Sequence, residues 1–342
     1  MDVIATWPGQ SALADVGAFA ARVERLGFDV LHVPETIHDP FMAAVLALTH
    51  TSRLVVRTSM VVAFPRSPML TAYAAWDLAR LSGGRFQLGM ASQVRGNIVG
   101  RYGTPWTEPV TRLSDYIGAV RAIFHSFQTG DELAYASDNY TFDRLQPYFN
   151  PGPNDVPPPA IWMGGVNHGM CALAGEVADG FVCHPTNSHP RVIDALIRPA
   201  IAEGIDRGGR DDGGPTMVAG PQPIVAADDD GLRAAREARR AELGFLYSTP
   251  AYRPQLELFG LAAISDALGA MAKASAWDGL ADLMTDEVIA TLVPQGTYDQ
   301  IPDVLHEWYA GACSGLVLTL PDPPDDGAYA EVVARCRRIP TS

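Results

Sequence analysis

Short apolar runs alternate with longer amphipathic stretches from the first residues of the chain onward. The short runs have the nearly continuous apolar character of buried parallel strands, and the longer stretches repeat apolar residues at helical spacing. The short runs predict strands over 3–6, 30–33, 54–56, 86–89, 160–163, 180–183, 216–220 and 315–319. The longer stretches predict helices over 12–26, 41–50, 68–81, 107–126, 168–178, 190–207, 229–243 and 327–338.

This alternation amounts to eight strand–helix units, which favours an α/β fold of the (β/α)8 TIM-barrel type over an open doubly wound sheet. We expect one domain over 1–342 with two insertions. The first, at about 127–159, is aromatic and then proline-rich, which predicts a hairpin and an extended excursion. The second, at about 244–297, has helical spacing. Such an insertion either covers the active-site face or packs against a second subunit.

Composition and charge narrow the class of function. Of the 342 residues, 47% are hydrophobic and 19% are charged, which is typical of a globular protein. The net charge of −14 argues against nucleic acid, whose binding needs clustered cations. The four cysteines form no C-x-x-C pair, and no apolar run reaches the roughly 18 residues of a membrane span. We therefore expect a cytoplasmic protein with reduced thiols, no nucleic-acid partner and no membrane contact.

Functional side chains of a barrel gather where the strands end. After successive strands the candidates are Trp7; Glu35, Thr36 and His38; Ser59 and Met60; Asn97; Gly164, Gly165, Val166 and Asn167; and His184. Two glycines and a helix-capping asparagine in the 164–167 loop suit a phosphate, because free N–H groups and the helix dipole attract anions. An ordinary turn with a helix cap has the same sequence.

Three of these candidates, His38, His184 and Trp7, suit a substrate pocket. His38 and His184 are placed for proton transfer, although each equally suits a hydrogen bond within its loop or to a substrate. Trp7 either lines the pocket or fills the barrel rim. We predict no metal site, because the first strand lacks the H-x-H of metal-dependent barrel hydrolases, and neither a G-x-S-x-G elbow nor a P-loop is present.

Several blocks of the chain stand in order between about residue 18 and 190. They are Gly27-Phe28-Asp29, Val33-Pro34-Glu35-Thr36, Asp39-Pro40-Phe41, Pro65-Arg66-Ser67-Pro68-Met69, Ala75-Trp76-Asp77-Leu78, Leu81-Ser82-Gly83-Gly84-Arg85-Phe86 and Leu173-Ala174-Gly175-Glu176-Val177-Ala178-Asp179-Gly180. As an ordered set, these blocks resemble the luciferase-like monooxygenase superfamily and its branch dependent on the deazaflavin coenzyme F-420.

The resemblance implies a luciferase-like barrel that holds coenzyme F-420 at the strand ends, and a homodimer. It places Glu35, Thr36 and Asn97 near the deazaflavin, a non-proline cis peptide at Ser59-Met60 behind the ring, and the cofactor phosphate at residues 164–167. Many members have Asp-His where this chain has Glu35-Thr36. The acid-base role of that histidine therefore passes to His38 or is absent.

The resulting hypothesis is an oxidoreductase that transfers hydride between coenzyme F-420 and an unidentified small organic substrate. Within the same fold the alternative is an FMN-dependent monooxygenase. A barrel that binds a flavin without catalysis is a third reading, consistent with the threonine at position 36.

Overall fold

The computed structural model describes residues 1–321 and 326–342 of the chain. Its strands, in chain order, are β1 (Asp2–Thr6), β2 (Val30–Val33), β3 (Val55–Thr58), β4 (Val61–Val62), β5 (Phe86–Ala91), β6 (Tyr135–Ala136), β7 (Thr141–Phe142), β8 (Ile161–Gly165), β9 (Gly180–Cys183), β10 (Thr216–Ala219), β11 (Ile224–Ala226), β12 (Gln295–Thr297) and β13 (Gly315–Val317).

Its α-helices are α1 (Val16–Arg25), α2 (Pro40–Thr49), α3 (Pro68–Ser82), α4 (Arg95–Gly100), α5 (Pro109–Thr129), α6 (His168–Val177), α7 (Pro190–Val192), α8 (Arg198–Gly208), α9 (Asp229–Tyr247), α10 (Arg253–Glu257), α11 (Ala262–Lys273), α12 (Leu280–Leu283), α13 (Asp286–Leu292), α14 (Ile301–Tyr309) and α15 (Asp326–Cys336). A π-helical stretch, Ile193–Ile197, joins α7 to α8.

Eight parallel strands close into a barrel, and the predicted (β/α)8 fold is confirmed. The strands follow one another in the order β3, β2, β1, β13, β10, β9, β8, β5, and the β3–β5 pairing closes the ring. The short β4 adds to the edge of β5. All eight predicted barrel strands are present, with ends that differ by at most two residues. The predicted hairpin is the antiparallel pair of β6 and β7.

Local signals set the helix ends. Asp39 and Ser67 each cap a helix that begins with proline, through hydrogen bonds to the backbone N–H groups of Phe41 and Met69. Gly83 ends α3 in the left-handed conformation, with φ of 63°. The main core lies between the outer faces of the strands and the surrounding helices.

The prediction that the helix over 229–243 is the crossover of the seventh strand–helix unit is wrong. Helix α9 packs with α10–α13 around a second apolar core that includes Leu243, Leu268 and Ile289. The helix that returns the chain to β13 is α14, whose Leu305 and Tyr309 belong to the main core. Periodicity predicts a helix but does not say which core its apolar face meets.

Within the described residues no helix is long and apolar enough to cross a membrane.

Gly89 in β5 generates the first prediction. A Cβ built on Gly89 would lie 2.0 Å from the Thr58 carbonyl oxygen and 2.8 Å from Met60 Sδ. Backbone cannot yield at that distance, so we expect Gly89→Ala to lower the free energy of unfolding by more than about 2 kcal/mol. Urea denaturation measures the change. Gly96→Ala in α4, where the added Cβ meets nothing within 4 Å, is the control. Equal stability of the two variants would contradict the prediction.

Candidate active site

The mouth formed by the carboxyl ends of the barrel strands brings the predicted site residues together. Trp7 follows β1, residues 35–38 follow β2, and Ser59-Met60 follows β3. Asn97 lies in α4 after β5, residues 164–167 end β8 and enter α6, and His184 follows β9. In a barrel of eight strands, the first two and the fifth and sixth lie on opposite sides, so these groups face one another across the mouth.

Met60 lies between the two sides. The Ser59-Met60 peptide bond is cis, as the family resemblance implies. The thioether occupies space that side chains on the neighbouring strands would fill, because a Cβ on Gly164 would lie 3.2 Å from Met60 Cγ and one on Gly89 would lie 2.8 Å from its Sδ. Gly164 therefore makes room for Met60.

Glu35 is held by protein groups rather than left free for a ligand. Its carboxylate accepts from Arg66 Nη1 at 2.8 and 2.9 Å, from the backbone N–H of Val62 at 2.8 Å and from the Tyr102 hydroxyl at 3.1 Å. These contacts use the acceptor capacity of both oxygens. Arg66 also pairs with Asp39 at 2.9 Å. Glu35 thus fixes the loop after β2, and the structure gives it no open oxygen for cofactor contact.

The loop after β2 is tied to both neighbouring segments. Thr36 donates from Oγ1 to the carbonyl of Gly9 at 2.5 Å. Its own carbonyl accepts from Arg101, which follows α4. Asn97 is half-buried in α4, and its carbonyl accepts from the backbone N–H groups of Arg101 and Tyr102. Arg101 therefore links Thr36 to Asn97, the two residues that the family resemblance places near the deazaflavin.

His38 has a defined tautomer. Its Nε2 lies 3.1 Å from the Ser11 carbonyl oxygen, which only accepts, so Nε2 carries a proton. Nδ1 has no hydrogen-bond partner among the described residues. The ring lies 5.6 Å from that of Trp7, which is 1% exposed and belongs to the main core. Trp7 therefore supports His38 from below and is not an open wall of the pocket.

The loop at the end of β8 combines close packing with free donors. Gly165 allows the first turn of α6 to approach, because a Cβ there would lie 2.7 Å from Met170 Cβ. Asn167 caps α6 by accepting from the Met170 N–H at 3.0 Å. The N–H groups of residues 167–169 have no acceptor within the described chain, as expected for a first helical turn. Gly165 can therefore pack against α6 while the N–H groups of residues 167–169 stay free to bind an anion.

His184 is a neutral hydrogen-bond donor. Burial lowers its pKa to about 4. Nδ1 lies 2.9 Å from Thr186 Oγ1 and accepts from the Thr186 N–H at 3.4 Å, so the single ring proton is on Nε2. The ring stacks on Tyr252 of the second insertion at a centroid distance of 5.1 Å. A ring with this pKa suits recognition of a substrate acceptor better than proton transfer near neutrality.

Two buried amides at the same side were not anticipated from the sequence. Asn187 donates from Nδ2 to the Val166 carbonyl at 3.1 Å, and its Oδ1 accepts from Gln255 Nε2 at 2.6 Å. Gln255 lies in α10 of the insertion, 68 residues further along the chain. No local spacing connects them, so only the tertiary structure reveals the contact.

A charged group lies inside the barrel below the mouth. Arg57 is 1% exposed, donates to His32 Nε2 at 3.0 Å and to Gln87 Oε1 at 2.8 Å, and lies 3.3 Å from the ring centroid of Trp162. Burial, with the Arg57 charge adding to it, lowers the pKa of His32 well below its usual value, so the imidazole is neutral. The strand register places these three polar side chains at one level.

The site has unused hydrogen-bonding capacity on both sides. Trp7 Nε1 and Gln255 Oε1 are buried and have no partner within the described chain. An unpaired buried polar atom costs about 1–3 kcal/mol, so the two groups are a local cost to the stability of the fold. No cluster of three or more His, Cys, Asp or Glu side chains among the described residues is arranged to hold a metal ion.

The low pKa of His184 predicts a pH dependence of stability. Between about pH 4 and 6.5 the unfolded chain binds a proton at this residue that the folded chain does not, so the free energy of unfolding falls as the pH is lowered through this window. We expect His184→Phe, which keeps the stack on Tyr252, to flatten this fall by on the order of 2 kcal/mol. Denaturation at several pH values measures it. Replacement of the exposed His306 by Asn is the control, and an equal fall in wild type and His184→Phe would contradict the prediction.

Comparison with known proteins identifies the family. The family model described as luciferase-like monooxygenase matches residues 2–314. An uncharacterised protein from Mycobacterium tuberculosis is 36% identical over 305 residues, covering 89% of this chain and 88% of that protein. The 5,10-methylenetetrahydromethanopterin reductase of Methanolobus tindarius is 26% identical over 324 residues, covering 94% of each.

The fold similarity extends over the whole chain. The coenzyme F-420-dependent tetrahydromethanopterin reductase of Methanopyrus kandleri superposes with a TM-score of 0.77 at 18% identity, over 99% of this chain and 98% of that one. With a family model that spans nearly the whole sequence, the match does not rest on one motif or one half of the barrel. The chain belongs to the luciferase-like monooxygenase family.

Proposed function

We propose that this protein is an oxidoreductase that transfers hydride between coenzyme F-420 and a small organic substrate. The observation that carries the proposal is the arrangement of the mouth, with free helix N–H groups at α6 on one side and His38 on the other. Support also comes from the similarity over nearly the full length to a methylenetetrahydromethanopterin reductase. The substrate is a small molecule that accepts or releases one hydride.

The residues present fit the cofactor. The N–H groups of residues 167–169 suit its phosphate, because they are free donors at the positive end of the α6 dipole. We assign Thr36, Ser59, Met60 and Asn97 to the border of the ring site, and Gly164 supports this assignment for Met60 because it leaves room for that side chain. The bound deazaflavin supplies the hydride-carrying carbon, C5.

The protein supplies orientation and proton transfer. His38 holds its ring by donating from Nε2 to Ser11, which leaves Nδ1 to take up or give the proton that accompanies hydride transfer. His184 donates from Nε2 to the substrate oxygen or nitrogen and holds it for transfer. Glu35 and Arg66 act indirectly, because their ion pair fixes the loop that carries His38.

Titration of the purified protein separates the two cofactors. We expect saturable quenching of F-420 fluorescence, and tight binding of FMN without affinity for F-420 would refute the proposal. In Asn167→Asp we expect roughly tenfold weaker F-420 binding, because the new charge lies beside the phosphate site. Aspartate caps a helix as well as asparagine, so the fold is retained. The deazaflavin chromophore without its phosphate is the control ligand, and we expect its affinity to be unchanged.

We also propose that the protein forms a homodimer through α2 and α3. Met42, Val45, Leu70 and Leu81 on these helices are 58%, 38%, 65% and 55% exposed. A groove between the helices is lined by Met42, Val45 and Leu81, together with Phe41, Ala74, Leu78 and the charged Asp77 and Arg80. Such a patch on one face is typical of an interface.

Sedimentation equilibrium tests this state. We expect a dimer for the wild type and a monomer for the double variant Val45→Glu with Leu70→Glu, because buried unpaired carboxylates disfavour the interface. Phe245→Glu, at an exposed apolar position of the insertion, is the matched control and is expected to remain dimeric. A wild-type monomer, or a double variant that stays dimeric, would exclude this surface.

A further inference from the structure

The second insertion reaches the mouth of the barrel through one short segment. Tyr252, just before α10, stacks on His184. Gln255, three residues later, is 3% exposed and donates to Asn187, which is fully buried. The neighbouring Leu256 instead faces the second core of the insertion. Helix α10 thus packs into its own core on one side and docks on the barrel with the other.

Asn187 carries this contact across to the loop at the end of β8. It accepts from Gln255 and donates to the Val166 carbonyl, so one amide joins the insertion to the 164–167 loop. In a trans peptide the C=O and N–H groups point in opposite directions. With the Val166 carbonyl turned towards the buried Asn187, the N–H of Asn167 points away from Asn187 and stays free of it.

The contact between Gln255, Asn187 and the Val166 carbonyl is made only by neutral groups. The charged residues of the same segment, Arg253 and Glu257, pair with each other at 3.1 Å and are largely exposed, and Arg253 also pairs with Asp266. A buried amide pair orients the loop without adding a negative charge beside an anion site. Gln255 Oε1 is buried without a partner in the described chain, so Gln255 is held by its N–H donor alone.

We propose that Asn187 and Gln255 are positioning residues through which the second insertion sets the affinity of the 164–167 loop for the cofactor phosphate. The inference rests on the proposed function, because it takes the phosphate site at α6 as its object. Gln255 acts through Asn187 and Asn187 acts through the Val166 carbonyl; neither touches the cofactor. The insertion thereby becomes a determinant of cofactor binding.

A double-mutant cycle tests the proposal. Asn187→Ala, Gln255→Met and the double variant are titrated with F-420 and with the phosphate-free deazaflavin chromophore. We expect each single variant to bind F-420 about fivefold more weakly, and to bind the chromophore as the wild type does, because one hydrogen bond that orients the phosphate donors is lost. The double variant should lose no more than Asn187→Ala alone, since the two residues act in series.

Methionine matches glutamine closely in shape, so Gln255→Met keeps the test valid if Asn187→Ala does not fold. Glu257→Gln, on the exposed side of α10, is the matched control and should bind both ligands normally. Equal weakening for the two ligands would indicate a general loss of structure and overturn the proposal, as would unchanged F-420 affinity in Gln255→Met.

The binding measurements also distinguish a failure of the positioning role from a failure of the proposed function. If the wild type binds F-420 and the variants bind it equally well, only the positioning role fails. If the wild type binds FMN and not F-420, the proposed cofactor fails, and the same cycle is run with FMN and phosphate-free riboflavin. Selective weakening for FMN would then support the positioning role, and its absence would overturn it.

Discussion

The whole site depends on the close approach of β5 to β3, the pairing that closes the barrel. At Gly89 the two strands are so close that a single methyl group would overlap the Thr58 carbonyl. The Thr58 hydroxyl fixes this approach by bonding to both the N–H and the carbonyl of Gly89 at 2.9 Å. Met60 then extends across the mouth over Gly89 and Gly164. A side chain at either glycine would displace Met60 from the mouth.

The two sides of the mouth are stabilised by different kinds of interaction. On the side of the first two strands, an ion pair between Glu35 and Arg66 fixes the loop that presents His38. Glu35 is 6% exposed, and its acceptors are all used, which offsets the cost of burying its charge. On the side of the fifth and sixth strands the buried contacts are between neutral groups, the imidazole of His184 and the amides of Asn187 and Gln255, whereas the pair of His168 with Glu203 at 3.1 Å is exposed. Neutral buried contacts suit the anion site that we propose at this loop.

The second insertion combines independent packing with a functional contact. Its helices enclose an apolar core of their own, separate from the main core around the barrel. Its contact with the mouth is instead specific, because a stacked ring and a buried amide pair fix where α10 sits. An insertion attached in this way changes the mouth without changing the barrel beneath it, where Arg57 and its partners fill the interior.

The sequence by itself determined the eight barrel strands and the family. These features depend on local patterns: apolar runs and ordered blocks of residues. The role of α9 was misjudged, because the same periodicity suits the barrel core and the second core alike. Only the tertiary structure decided that Glu35 is occupied by Arg66, and that Asn187 and Gln255 meet across 68 residues. Such contacts leave no periodic signal, since they arise when loops from separate strands converge at one end of a closed barrel.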